Sequence, residues 1–144
     1  VKYRYLVDTN LLIYPLDARD PRKQQQAANV LLELVQEGRA ALPVQALSEF
    51  ASVALRRLEP PLSPQQVGLE VERLMQAFPV LPLTAPVVLE ALRGVTQHRL
   101  SYYDAQVWAT ARLYQVPLVL SEDFPTGAVL EGVRFLNPLE DALG

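Results

Sequence analysis

Leu6-Val7-Asp8-Thr9-Asn10-Leu11-Leu12-Ile13-Tyr14 is the stretch that decides how this chain is read. Lys2 to Val7 reads as a short buried strand, and Asp8 ends it. Asp8 or Thr9 can cap a brief helix through Leu11, Leu12 and Ile13, which Pro15 disturbs. A strand that stops at a carboxylate and turns at once into a helix is the opening of an α/β unit. It places one acid at the carboxyl end of a strand.

The rest of the chain repeats the alternation. Pro21 opens a helix that Gly38 stops, with Ala27, Leu31, Leu34 and Val35 at helical spacing. Arg39 to Pro43 is a weakly signalled second strand, followed by a helix from Val44 to Leu58. Ser63-Pro64 starts a helix to about Ala77, and Val80 to Leu83 is a third strand whose prolines suit an edge. Thr84 caps a helix from about Pro86 to Gln97. Ser101 opens another to about Tyr114, apolar almost all round and therefore buried, with Trp108 in the core. Val116 to Ser121 is the clearest strand, and Val133 to Leu136 is the last. Strands alternating with helices predict an α/β fold, with a small, mainly parallel sheet of about 4–5 strands covered by helices on both sides.

Composition narrows the chemistry. At 144 residues the chain is expected to form one domain over 1–144. It has no cysteine, which excludes disulfides and thiolate metal sites and fits a cytoplasmic protein. No apolar run approaches the ~20 residues of a membrane span, and the N-terminus lacks a secretory signature. It also lacks Met, so it is expected to be processed or trimmed. The formal charge is −3; with the four acids singled out below set aside, the remainder carries +1, so no basic field surrounds them. Only Lys2 and Lys23 are lysines.

Topology then gathers acids. In a parallel α/β sheet, ligands bind outside the carboxyl ends of the strands. Asp8 and Asp123 each follow a strand directly; Glu49 lies near the start of the helix after the second strand; Asp104 lies in the first turn of the helix entering Val116–Ser121. All four fall on one rim. Two unit charges ~5 Å apart at an effective dielectric of ~20 repel by about 3 kcal/mol, so such a rim calls for protons or a cation. All-oxygen ligation selects Mg²⁺ or Mn²⁺, and a single histidine, His98, argues against zinc. A metal there suits phosphoryl transfer. Each acid also has a plainer role: Asp8 as a helix cap, Asp104 as the partner of Ser101 in a capping box, Glu49 as a surface acid, Asp123 as a turn residue with Glu122 as its competitor. Tyr102 and Tyr103 can stack on bases or pack the helix start, and His98 and Arg99 can meet a phosphate or lie on loop surface.

Val7-Asp8-Thr9-Asn10, Glu49 on its helix, Leu100-Ser101-Tyr102-Tyr103-Asp104-Ala105 and Leu120-Ser121-Glu122-Asp123 together resemble a PIN domain. The likeness is to the VapC-type ribonuclease toxins of bacterial toxin–antitoxin pairs. Gly132-Val133-Arg134-Phe135-Leu136-Asn137-Pro138 is similar to the end of one branch of that family. The resemblance spans essentially the whole chain. It implies a PIN-like three-layer sandwich and an acidic Mg²⁺ or Mn²⁺ site of Asp8, Glu49, Asp104 and Asp123, supported by Thr9, Asn10, Ser101 and Ser121. It implies endonucleolytic cleavage of RNA, a homodimer, and inhibition by a small antitoxin. Two other readings compete: a catalytically silent PIN-fold binding subunit, and a phospho-acceptor signalling domain. The second expects a lysine at the end of a late strand, and both lysines here are early.

Overall fold

The computed structural model describes residues 2–143. Six strands form one sheet in the order β3-β2-β1-β4-β6-β5. They are β1 (Tyr5–Val7), β2 (Ala40–Pro43), β3 (Val80–Leu81), β4 (Leu118–Leu120), β5 (Val129–Leu130) and β6 (Val133–Leu136). All neighbours run parallel except β5, which pairs antiparallel with β6. The α/β reading holds, with six strands rather than 4–5. The extra one, β5, forms a two-residue hairpin through Glu131 and Gly132, both at positive φ (50° and 83°). That is the backbone a tight hairpin of this type needs, and Gly132 was its signal in the sequence.

The helices are α1 (Thr9–Ile13), α2 (Pro21–Glu37), α3 (Val44–Arg56), α4 (Pro64–Ala77), α5 (Ala85–His98) and α6 (Tyr102–Leu113), with a 3-10 turn over Tyr14–Leu16 after α1. Their ends follow local chemistry. Asp20, Ser63, Thr84 and Ser101 each cap a helix through a side-chain oxygen, and Gly38 closes α2 in the left-handed conformation at φ 80°. The strands are shorter than their apolar runs. Lys2–Arg4, Arg39, Pro82–Leu83, Val116–Pro117 and Ser121 lie outside the ladders. Pro82 has no amide proton to extend β3, which sits at the sheet edge as its prolines suggested.

Side chains alternate across the sheet, so each strand feeds two cores. Tyr5, Val7, Leu42 and Leu120 face a cluster with α1 to α4; Leu6, Ala41 and Val119 face one with α5 and α6. This is the predicted three-layer arrangement. Trp108 is the largest fully buried side chain, and its indole N–H donates to the Leu130 carbonyl at 3.1 Å. Arg93 and Arg112 lie over its ring at 5.5 and 5.7 Å, joined by Glu90 and Glu131 in a surface network of ion pairs. His98 meets the Trp108 ring edge-on and bonds Glu131 at 2.6 Å, so it serves this cover.

The close approach of α5 to α6 depends on Gly94. A Cβ there would fall 2.7 Å from Trp108 Cζ3 and 2.8 Å from Cε3. Gly94→Ala gains about 1 kcal/mol of helix propensity but must displace a locked indole, and overpacking of this kind costs about 1–3 kcal/mol. Urea denaturation should therefore show a net loss of stability of up to about 2 kcal/mol; a raised midpoint would contradict this packing.

Candidate active site

Strand register builds the centre of the site. β1 and β4 are parallel neighbours with Val7 opposite Leu120, so the next residues, Asp8 and Ser121, emerge side by side at the carboxyl edge. The Asp8 amide continues the ladder to the Leu120 carbonyl at 3.0 Å. Asp8 is then buried, with 5% of its surface exposed. Its Oδ1 accepts the Thr9 amide at 2.8 Å, so it caps α1. Its Oδ2 accepts the Ser121 hydroxyl at 2.8 Å. The cap and the site residue are thus the same group.

Ser121, fully buried, is the junction of this edge. Besides donating to Asp8, its oxygen accepts the Asp123 amide at 3.0 Å and the Asn10 side-chain amide at 3.3 Å. Asn10 in turn accepts the Glu122 amide at 3.3 Å through Oδ1. The segment after β4 is therefore folded against the start of α1, which fixes Asp123 beside Asp8. Glu122 points elsewhere. It forms an ion pair with Lys23 at 2.7 Å and accepts the Tyr14 hydroxyl. Burial would raise its pKa, but Lys23 and Tyr14 together hold it below the usual value. Glu122 is thus engaged by Lys23 and Tyr14, while Asp123 stands beside Asp8.

Glu49 is half-buried on α3. The Thr9 hydroxyl donates to its Oε2 at 3.3 Å and the Gln45 amide to its Oε1 at 2.9 Å. It is no free surface acid, and Arg56 bonds Ser52 rather than Glu49. Gln45, four residues before Glu49 and so on the same helix face, also reaches the Tyr103 carbonyl at 3.2 Å. It ties α3 to the start of α6. The sequence reading passed over it; a glutamine one turn ahead of a candidate acid was the available signal. The Gln45 Oε1 is buried with no hydrogen-bond partner among the described residues.

Asp104 stands in the first turn of α6, where its amide donates to Ser101 Oγ at 3.4 Å. No bond returns from the Ser101 amide to the Asp104 carboxylate, so the capping box is only half formed. Tyr103 is 62% exposed, next to Tyr102 in an edge-on contact. Gln45, Glu49, Ser52, Arg57, Tyr102 and Tyr103 are among the residues that line a groove of about 850 Å³.

The electrostatics join the acids in a chain. Burial pushes the Asp8 carboxyl up to about 6; the bonds from Ser121 and Thr9 oppose this, and the charges of Asp123 and Glu49 add to it. Asp123 is exposed as a residue, yet partial desolvation of its carboxylate raises its pKa. The Asn10 bond lowers it, and the charges of Asp104 and Glu122 raise it further. Glu49, Asp8, Asp123 and Asp104 thus stand in electrical contact in that order, and none of them has a lysine, arginine or histidine within ion-pair distance among the described residues. As the side chains stand, no three acids or histidines among the described residues come close enough to hold one metal ion. The four share a rim but are not drawn into a single cage.

Asp8 gives this a consequence for stability. Its carboxyl has a higher pKa in the folded protein than its ordinary value of 3.8. The stability linked to its proton is therefore full below pH ~4 and lost as pH rises through about 6, by about 3 kcal/mol at most. In chelator, Asp8→Asn should be more stable than the native chain at pH 7 by about 1–3 kcal/mol, with the gain fading towards pH 4. Thermal melts across this range check it, and a variant less stable at pH 7 than at pH 4 relative to the native chain would contradict the strained carboxylate.

Comparison with known proteins agrees with the geometry. The solved FitAcB structure from Neisseria gonorrhoeae superposes with a TM-score of 0.64 at 20% identity, over 93% of this chain and 97% of that one. VapC20 of Mycobacterium tuberculosis, described as a sarcin–ricin-loop-cleaving toxin, gives a TM-score of 0.63 at 19% identity, over 83% and 89%. VapBC2 of Rickettsia felis, bound to a DNA fragment from its promoter, gives 0.66 at 11%, over 91% and 96%. At these identities the likeness is one of fold. No curated protein sequence matches the chain. Residues 5–124 match the PIN domain, from the first residue of β1 to the one after Asp123, and the chain belongs to the PIN domain family.

Proposed function

We propose that this chain is a metal-dependent endoribonuclease that hydrolyses RNA phosphodiesters at the rim of Asp8, Glu49, Asp104 and Asp123, and that it is the toxin of a toxin–antitoxin pair. The observation that carries this reading is a buried Asp8 carboxylate, flanked by the charges of Glu49 and Asp123, with no cationic side chain paired to it among the described residues. In a PIN-family chain, that arrangement of charge suits a bound cation.

The residues fit such an ion. The donors are all oxygen, as Mg²⁺ and Mn²⁺ require. The buried Gln45 Oε1 has no partner among the described residues, which fits a site with acceptors in excess of donors. Asp8, Glu49, Asp104 and Asp123 would hold the metal. When bound, it would lower the pKa of a water and offset charge on the phosphodiester and leaving oxygen.

The chain's own residues position the rest. Ser121 holds Asp8 and the Asp123 amide at once, so the two acids keep a fixed relation. Thr9 and Gln45 orient Glu49. Asn10 holds the segment carrying Asp123. The groove from Glu49 to Tyr103 suits a single RNA strand: Arg57 offers charge to a phosphate, and the exposed Tyr103 ring offers a face for a base. A similar solved structure from Klebsiella pneumoniae is a toxin–antitoxin complex, which supports a small antitoxin as partner. A homodimer and a cytoplasmic setting accompany this reading. Among the described residues no helix is long and apolar enough to cross a membrane.

Purified protein with Mn²⁺ should cut members of a panel of structured and single-stranded RNAs. EDTA should stop the reaction, and Asp8→Asn should lower the rate by about 10²-fold or more, since losing even an outer partner of a metal site costs about 10–100-fold. An intact RNA panel, in the presence of Mn²⁺ that demonstrably binds, would favour the catalytically silent binding subunit.

A further inference from the structure

The opposite edge of the sheet carries charge of the other sign. Arg4, Arg39 and Arg134 line one pocket of about 440 Å³, with Pro117, Leu118 and Gly132 completing most of its wall and no acidic residue contributing. The backbone fixes their relation. The Arg4 amide donates to the Arg39 carbonyl at 2.8 Å, the Leu118 amide to the Arg4 carbonyl at 3.3 Å, and the Arg134 amide to the Pro117 carbonyl at 2.9 Å. The three arginines thus root at the amino ends of β2, β1 and β6, with β4 between the last two.

The arginines differ in their pairing with acids. Arg19, Arg73, Arg93 and Arg112 each have a carboxylate within ion-pair distance. Arg39 and Arg134 are exposed and have none among the described residues. Glu37, the acid close in sequence, accepts the Arg39 amide at 2.9 Å. Arg22, Arg56, Arg57 and Arg99 share that lack of an ion pair among the described residues, so what marks this pocket is that three arginines and no acid line one concave wall in a chain of net charge −3.

We propose that this pocket binds adjacent phosphate groups, supplied either by the backbone of a nucleic-acid strand or by a free polyphosphate. Guanidinium forks match phosphate oxygens in pairs, which a single carboxylate uses less fully. Strands lie ~4.8 Å apart, so Arg39 and Arg134 root ~14 Å from each other with Arg4 between them. That span suits two or more phosphates rather than one. The pocket is separate from the acidic rim: four residues of extended chain, ~13 Å, divide Arg4 from Asp8. It therefore stands independently of the nuclease reading.

The test uses the full chain in EDTA, where the acidic rim holds no metal and RNA stays intact. Pyrophosphate affinity is measured by calorimetry. RNA affinity is measured on a short single-stranded oligonucleotide as a function of salt. Both are repeated on Arg39→Ala/Arg134→Ala and on the charge-matched Arg22→Ala/Arg73→Ala. The pocket variant should bind pyrophosphate about tenfold or more weakly, or reduce the slope of log K against log salt for RNA by about 1, while the charge-matched variant stays close to native. A change in the first alone assigns a free polyphosphate, and a change in the second assigns a nucleic-acid strand. No change in either, or equal changes in both variants, overturns the proposal.

Discussion

The contact on which the site depends is the hydrogen bond from Ser121 to Asp8. It exists because β1 and β4 are adjacent, parallel and in register, so both strands end at the same level. A carboxylate held there is cut off from water by the two apolar cores on either face of the sheet. The fold supplies it with two donors, Ser121 and Thr9, which stabilise the charge but do not neutralise it. Everything else at the rim adds negative charge. Two acceptor-rich elements, α3 with Glu49 and α6 with Asp104, start at this edge because helices leaving or entering a parallel strand must do so.

The fold thus concentrates charge of one sign at the carboxyl edge and disperses it elsewhere. Glu90 and Glu131 are absorbed by Arg93, Arg112 and His98 over Trp108, and Glu122 by Lys23. These pairs engage acids outside the rim, whereas the four rim acids have no ion pair among the described residues. Folding would not favour such an edge unless a ligand used it, since a buried carboxylate without a cation destabilises the native state. Stability surrendered at a site of this kind is the usual mark of function.

Much of this was legible in the sequence because it follows from periodicity and order. The alternation of apolar runs with capped helices gave the layers, and the position of Asp8 after one strand and Asp123 after another gave the edge. What sequence could not supply was side-chain partnership. Nothing in Ser-Glu-Asp separates Glu122 from Asp123; the partners of Glu122 are Lys23 and Tyr14, about a hundred residues earlier. Gln45 escaped notice because its role depends on reaching the Tyr103 carbonyl across two elements. The hairpin strand β5 was lost because two paired residues are too few for a pattern, although Gly132 marked its turn. The distance between the acids is likewise a three-dimensional property, and the rim is more open than four converging ligands would suggest.

The central claim is that this rim takes a divalent cation, and a thermal melt with and without Mn²⁺ at pH 7, on the native chain and Asp104→Asn, tests it most directly. A ligand bound only by the folded state raises its stability, by about 2.7 kcal/mol at 100 times its Kd, which for a chain of this size is about 5–10 °C. The account predicts a rise of that order for the native chain and a much smaller one for Asp104→Asn. No Mn²⁺ response in the native chain, or the same response in both proteins, would contradict it.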